Sequence, residues 1–379
     1  MILNTIAFIL GLCLLFYCGL VLFSVFHIEI KGKGRKAITS SSRTDFPFIS
    51  VIIPARNEAA NIEACLRSVL AQDYPAFEVI LINDHSTDST GAIAEAIASQ
   101  HERLRVSDLQ TDTTTAYKKA AITQGIGLAT GEYIVQTDAD CIVDSEWLLA
   151  IAEGLVSGPA FISAPVLLTN GRSQTKNSLF ASLQILEYQG LVFLGGGSLL
   201  GGFPNMANGA NMAYRKSAFT AVGGFAGVDQ VASGDDELLL QKMHRTGLKL
   251  DFLLDKRAVV TTEVVQHFAA FRAQRLRWVS KARAYHNRWT NVVQLISFLA
   301  FAAFPVWLLM GRWEWLLTGF LGKMLVDFLL MLQAARFFRT FRLLWLLPLL
   351  ELLYIPYVLW VGIAGNVVKR YRWKDRTVS

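Results

Sequence analysis

A run of 25 residues, Ile2 to Phe26, carries no charge, and this limits what the chain can be. A helix of about 20 apolar residues crosses a bilayer's hydrocarbon core. Lys31, Lys33, Arg35 and Lys36 follow the run directly, as on the cytoplasmic flank of a span. A signal peptide places its basic residues before a shorter apolar stretch, so the run is predicted to be an anchor. Further apolar stretches at 291–310, 315–335 and 343–368 are long enough to span. They account for 53% hydrophobic against 17% charged residues over 379 positions.

This divides the chain into an anchor (1–28), a basic linker (29–47), a polar domain (48–263), a basic interfacial region (264–290), a second apolar region (291–368) and a basic tail (369–379). Lys and Arg number 36 against 30 Asp and Glu. Many of these cations flank the apolar stretches, at 31–36, 336–342 and 369–376, which makes the lipid bilayer the expected partner rather than nucleic acid. The four cysteines form no CxxC pair, so neither a disulfide framework nor a zinc site is indicated.

Within the polar domain, ISVIIPA (49–55), FEVILIND (77–84), Arg103 to Leu109 and YIVQT (133–137) read as buried strands. They alternate with helical patterns at 58–72, 89–99 and 118–129, the signature of an α/β fold with a mostly parallel sheet. Such sheets bind ligands beyond the carboxyl ends of their strands, where Arg56 to Glu58, Asp84 and Asp138 to Asp140 fall. Asp138 and Asp140, two apart, are hard oxygen donors suited to Mg2+ or Mn2+ on a diphosphate; a lone pair of this kind is equally an ordinary turn. Asp84 can accept a hydrogen bond from a nucleoside, and Asp88 is expected to be structural.

PARNE (54–58), NDHSTD (83–88), Lys118, DAD (138–140), GDD (234–236) and QRLRW (274–278), in that order, resemble membrane-bound glycosyltransferase family 2, including cellulose, chitin and hyaluronan synthase-type enzymes. The resemblance implies a GT-A (Rossmann-like) nucleotide-sugar domain, inversion at the anomeric carbon and a divalent cation. It also implies that the main chain at Ala55, with Glu58 and Asp84, holds the nucleoside. Asp138 lies near ribose and diphosphate, and Asp140 holds the metal. Lys118 and Arg277 meet the donor's phosphates, Gln274, Trp278, Asp235 and Asn208 border the acceptor, and Asp236 is the general base. An acidic first helical turn is the plain alternative for Asp235, Asp236 and Glu237, and an interfacial basic-aromatic helix for QRLRW.

Four details depart from the family pattern. Tyr117 stands before Lys118 where glycine is usual, Lys119 competes with Lys118, and Gly234 and Asp235 replace Thr and Glu of TED. Gly195 to Gly202 follows no first strand, so it is no dinucleotide fingerprint and is expected to be a mobile acceptor loop. Asn208 and Asn211 are candidates for sugar hydroxyls or for ordinary turn and cap positions.

The expected activity is transfer of a sugar from a nucleoside-diphosphate sugar, UDP in the first instance, to a glycan or lipid-linked acceptor on the cytoplasmic side of the plasma or inner membrane. Single addition to a glycolipid is the alternative to a polymerising synthase. A nucleotidyltransferase would release pyrophosphate instead, and a non-catalytic scaffold would bind nucleotide without turnover. Three crossings after the domain leave 369–376 outside, against the charge rule; Pro348 and Pro356 mark the last segment as the candidate for re-entry. Lys323 and Asp327, four apart, are expected to pair within their span, with Glu351 nearby in character.

Overall fold

The computed structural model describes residues 2–33, 46–110, 117–171, 178–231, 233–280, 288–367, 371–373 and 376–378. Most of the basic linker, positions 281–287 and part of the tail, Lys369 included, lie outside the described residues.

Helix α1 (Ile2–Lys33) leads to strand β1 (Ile49–Ala55), helix α2 (Ile62–Leu70), β2 (Phe77–Asn83), α3 (Thr90–Ala98), β3 (Leu104–Asp108), α4 (Tyr117–Leu128) and β4 (Tyr133–Gln136). The expected strand-helix alternation is present, each strand a short run of buried residues with polar groups where it leaves the sheet. β5 (Ile142–Val143), α5 (Trp147–Val156), β6 (Phe161–Ser163), β7 (Val166–Thr169), α6 (Leu179–Leu200), β8 (Met212–Arg215), α7 (Lys216–Ala221), α8 (Asp235–Arg245), β9 (Leu250–Phe252) and β10 (Val260–Glu263) complete the domain. The main sheet has the order β3-β2-β1-β4-β8-β6-β9. β1 pairs in parallel with both β2 and β4, while β8 runs antiparallel between β4 and β6. The sheet is therefore mostly parallel, and the carboxyl ends of β1, β2 and β4 share one rim. β5, β10 and β7 form a second, small sheet.

α6 corrects the expectation of a mobile loop at 195–202. Gly195 to Gly197 lie inside the 22-residue helix, and they are glycines because other elements come too close for a side chain. A Cβ on Gly197 would fall on the backbone of Ser24 in α1, one on Gly196 would meet the Phe252 ring, and one on Gly201 would meet Phe23. Ser24 donates to Leu194 O at 3.2 Å and Lys31 to Leu200 O at 2.6 Å. Close backbone approach through small residues is how helices associate in lipid, and here it joins the catalytic domain to its anchor.

After α9 (Phe268–Ser280), helices α10 (Arg288–Leu309) and α11 (Trp313–Phe338) pack with α1, followed by a 3-10 turn (341–346) and α12 (Leu347–Val367). Among the described residues four helices, α1 and α10 to α12, are long and apolar enough to cross a membrane. α10 runs antiparallel to α1, with Trp307 donating to Ala7 O and Phe301 against Tyr17. α11 runs parallel to α1, with Tyr17 bonded to Asp327 and Gln333 to Val25 O.

α12 differs, because both its ends lie at the catalytic domain. Before it, Thr340 donates to Gln189 of α6 at 2.8 Å and Leu343 packs near Leu168 and Val264. At its far end Gly365 abuts Val279 of α9, and between these points Tyr357 and Trp360 meet Phe271 and Arg272. α12 thus runs alongside α9, and its Glu351 and Tyr354 also reach Lys323 of α11 and Phe301 of α10. A hairpin of β11 (Tyr371–Trp373) and β12 (Arg376–Val378) follows, with β11 beside α9.

Within this bundle, the ammonium of Lys323 lies 2.6 Å from Asp327 and also pairs with Glu351 of α12. The expected Lys323–Asp327 pair is present, and Glu351 joins it from another helix.

Candidate active site

The β1–β2 end of the rim is a hydrogen-bonded double turn. The backbone amide of Asp84 donates to Ala55 O at 2.8 Å, and Arg56 spends its guanidinium on Asp84 O and His85 O at 2.7 and 2.8 Å. Asn57 and His85, both with φ of 50°, turn the two chains over this junction. Asp88 accepts from the amides of Ala59 and Thr90, which holds its carboxyl below the usual range despite some burial; it is structural, as expected. Glu58 sits at the mouth, bonded by Asn61 at 2.9 Å. Asp84 is 3% exposed, and its carboxylate lies 3.1 Å from His85 Nδ1. His85 thus stands between Asp84 and the rim, a residue the motif pattern did not single out.

Successive residues of a helix point about 100° apart, and this separates the two candidate lysines. Lys118 faces the rim, 2.7 Å from Asp138 and 3.2 Å from Asp235. Burial opposes its charge, but Asp138 and Asp235 outweigh it and raise its pKa. Lys119 is 2% exposed and points the other way, donating to Val228 O, Val231 O and Ser233 O at 2.5–3.0 Å. It ties down the segment that leads into α8.

α8 begins after Gly234, whose φ of +81° is the left-handed turn that glycine adopts freely. Asp235 is buried, bonded by Gln136 at 2.9 Å as well as by Lys118. Burial favours its neutral form, yet Lys118 and Lys119 prevail and lower its pKa. Asp236 is half-buried at the mouth, where its carboxylate accepts from the amides of Gly209 (3.1 Å) and Glu237 (2.7 Å). A Cβ on Gly209 would lie 3.0 Å from Asp235 Oδ2 and 3.3 Å from Lys118 Nζ, so Lys118, Asp235 and Asp236 close around that glycine. Gln136, a polar residue at the end of an otherwise apolar strand, was the sequence signal for this support.

The third side is built by α6 and α9. Gln274, Arg277 and Trp278 are half-buried on α9. The Trp278 ring lies 5.8 Å from that of Tyr188, whose hydroxyl accepts from Asn208. Arg275, between the motif positions, is 1% exposed; it pairs with Glu187 at 2.5 Å and stacks 4.1 Å over Trp278. Burial pushes the Glu187 carboxyl up against the opposing pull of Arg275. Asn211 is not available to a sugar. It is fully buried, holding Pro165 O and Ala258 O and accepting from Trp147 Nε1.

Asp140 is exposed at the end of the DAD turn, with the Cys141 thiol 3.6 Å away. Among the described residues no three His, Cys, Asp or Glu side chains form a ready metal cage. The donor set instead fits a cation held by one carboxylate and completed by substrate phosphates and water, the usual manner of Mg2+.

An open α/β sheet whose carboxyl-end rim gathers these acidic and basic groups defines a GT-A nucleotide-sugar domain. A mannosyltransferase from Pyrobaculum calidifontis, solved in complex with GDP-Man and Mn2+, has the same fold: the TM-score is 0.61 over 96% of this chain and 99% of that one, at 19% identity. Residues 50–223 match the family model Glycosyl transferase family 2, and the chain carries a domain of that family. Poly-beta-1,6-N-acetyl-D-glucosamine synthases are among its relatives. That of Staphylococcus epidermidis is 26% identical over 258 residues, 67% of this chain and 60% of that protein. That of Staphylococcus aureus is 27% identical over 281 residues, 72% and 64% respectively. The chain thus spans somewhat under two thirds of the length of these relatives.

Proposed function

We propose that the protein transfers a sugar from a UDP-sugar, of the N-acetylhexosamine class, with inversion onto a hydroxyl of a glycan or lipid-linked acceptor at the cytoplasmic membrane surface. The observation that carries this is the meeting of Asp236 with Lys118 and Asp235 around Gly209, with Asp138 on the same lysine, on the rim that also holds the Ala55–Asp84 turn. The relatives' names support the sugar class.

In this reading the Ala55 main chain, Glu58 and Asp84, the last through His85, hold the nucleoside. Lys118 and Arg277 face the diphosphate, with Asp138 and Asp235 fixing the lysine. Asp235 then supports the acceptor side only by holding Lys118. Gln274, Trp278 and Asn208 border the acceptor, on α9 lying along the membrane surface. Asp138, Asp235 and Asp236 lie around the ammonium of Lys118, with Asp140 beyond them in the DAD turn, and a diphosphate would be repelled from such a cluster. Asp140 would hold a divalent cation, which would offset that repulsion and supply positive charge for the leaving diphosphate. Asp236 takes the acceptor's proton as its oxygen attacks the anomeric carbon opposite the departing UDP.

The test incubates purified protein with a panel of UDP- and GDP-sugars, Mg2+ or Mn2+, and membrane lipid extract or oligosaccharide. Nucleoside diphosphate release and product mass are measured. Release from a UDP-N-acetylhexosamine, abolished by EDTA and restored by metal, is expected, with a new β-linkage by NMR. Pyrophosphate release, or nucleotide binding without turnover under every condition, overturns the reading.

A further inference from the structure

Helix α6 presents Glu187 and Tyr188 in succession, and α9 presents Arg275 and Trp278 three residues apart. These four side chains interlock. Glu187 holds Arg275 at 2.5 Å, and the Arg275 guanidinium lies 4.6 Å over Phe271 and 4.1 Å over Trp278. One face of the Trp278 indole is therefore covered by a buried cation, and a sugar can stack only on what remains, on the side of the half-buried Tyr188.

The phenol is placed for a polar contact as well. Its oxygen accepts from the Asn208 amide, and a phenol has one proton of its own to donate. Burial raises the Tyr188 pKa, so that proton stays on near neutral pH. The adjacent residue, Gly209, donates to the Asp236 carboxylate at 3.1 Å. Tyr188 is thus linked to Asp236, the proposed base, through the adjacent residues Asn208 and Gly209.

We propose that Tyr188 is an acceptor-binding residue: its ring completes the aromatic wall begun by Trp278, and its hydroxyl donates to an acceptor sugar oxygen. This rests on the transferase reading above and deepens it, since the chemistry selected is a sugar ring with an oxygen near the attacking hydroxyl. It also makes α6, the helix docked through glycines on α1, part of the acceptor site.

The experiment compares wild type, Tyr188→Phe and Tyr188→Leu, with UDP-GlcNAc as donor, a short β-1,6-linked N-acetylglucosamine oligosaccharide as acceptor, and UDP affinity by calorimetry. One neutral hydrogen bond corresponds to about 3- to 10-fold, so Tyr188→Phe is expected to raise acceptor KM by that factor with UDP affinity unchanged. Tyr188→Leu, which also loses the ring, is expected to lower kcat/KM for acceptor by about 30-fold or more. Thermal unfolding shows whether either variant is misfolded, and the conservative Phe variant carries the decision. Unchanged acceptor KM in a folded Tyr188→Phe variant overturns the proposal, as does weakened UDP binding in the same proportion. A wild type that releases no UDP with any donor and acceptor of the panel above fails differently, refuting the transferase reading itself.

Discussion

Removing Lys323 and removing Glu351 should have unequal effects, because the buried cluster holds two carboxylates and one ammonium. Lys323 is 1% exposed, 2.6 Å from Asp327, paired with Glu351, and 4.9 Å from the centre of the Phe301 ring. Tyr17 donates to the other oxygen of Asp327 at 3.0 Å. Lys323→Met keeps the side chain's length and leaves two facing carboxylates without their cation. Breaking a buried pair in this way costs about 3–5 kcal/mol. Glu351→Gln leaves a balanced Lys323–Asp327 pair and an amide in place of the surplus acid, so its effect should stay within about 1 kcal/mol. In a chain of this size the first corresponds to roughly 3–10 °C in Tm and the second to a degree or two. Thermal unfolding in nanodiscs, followed by tryptophan fluorescence, reads both. Equal destabilisation by the two variants would refute the charge count.

Three further outcomes follow from the geometry. Gly197→Val should destabilise by about 3 kcal/mol, the upper end for overpacking, since its side chain meets the Ser24 backbone; Gly127→Ala, with nothing within 4 Å, serves as a control and should not destabilise. Asp235 has a lowered pKa in the fold, so its contribution is complete above its unfolded value near 3.9 and is lost as pH falls below that. Asp235→Asn should therefore lower Tm at pH 7 by the equivalent of about 2 kcal/mol, and the gap should narrow below about pH 4; a constant gap would remove the ionic explanation. A cysteine at Thr377, with the native cysteines replaced, should react with an impermeant maleimide only from the side bearing the catalytic domain, and labelling from the opposite side would mean that α12 crosses.

The sequence pattern revealed what local chemistry dictates. Strands β1, β2 and β4 are runs of buried β-branched and aromatic residues, and their polar exits stand on the expected rim. What it missed depends on tertiary contact. Gly195 to Gly197 read as a loop because glycine's low helix propensity is the only local signal; the reason for glycine lies in Ser24 and Phe252, on other elements. That Leu343 and Gly365, towards the two ends of the last apolar segment, are both held at the catalytic domain is likewise invisible to hydropathy. Arg275 was hidden between the motif's fixed positions, and its role appears only with Glu187, 88 residues earlier.

The central claim is that Asp236 is the base of a sugar transfer, and its most direct test is single-turnover UDP formation by wild type and Asp236→Asn with bound donor and acceptor. General-base catalysis contributes about 10²- to 10⁴-fold, so the variant should lose at least 100-fold in rate while binding UDP as tightly as wild type. A variant that turns over within tenfold of wild type would contradict the account.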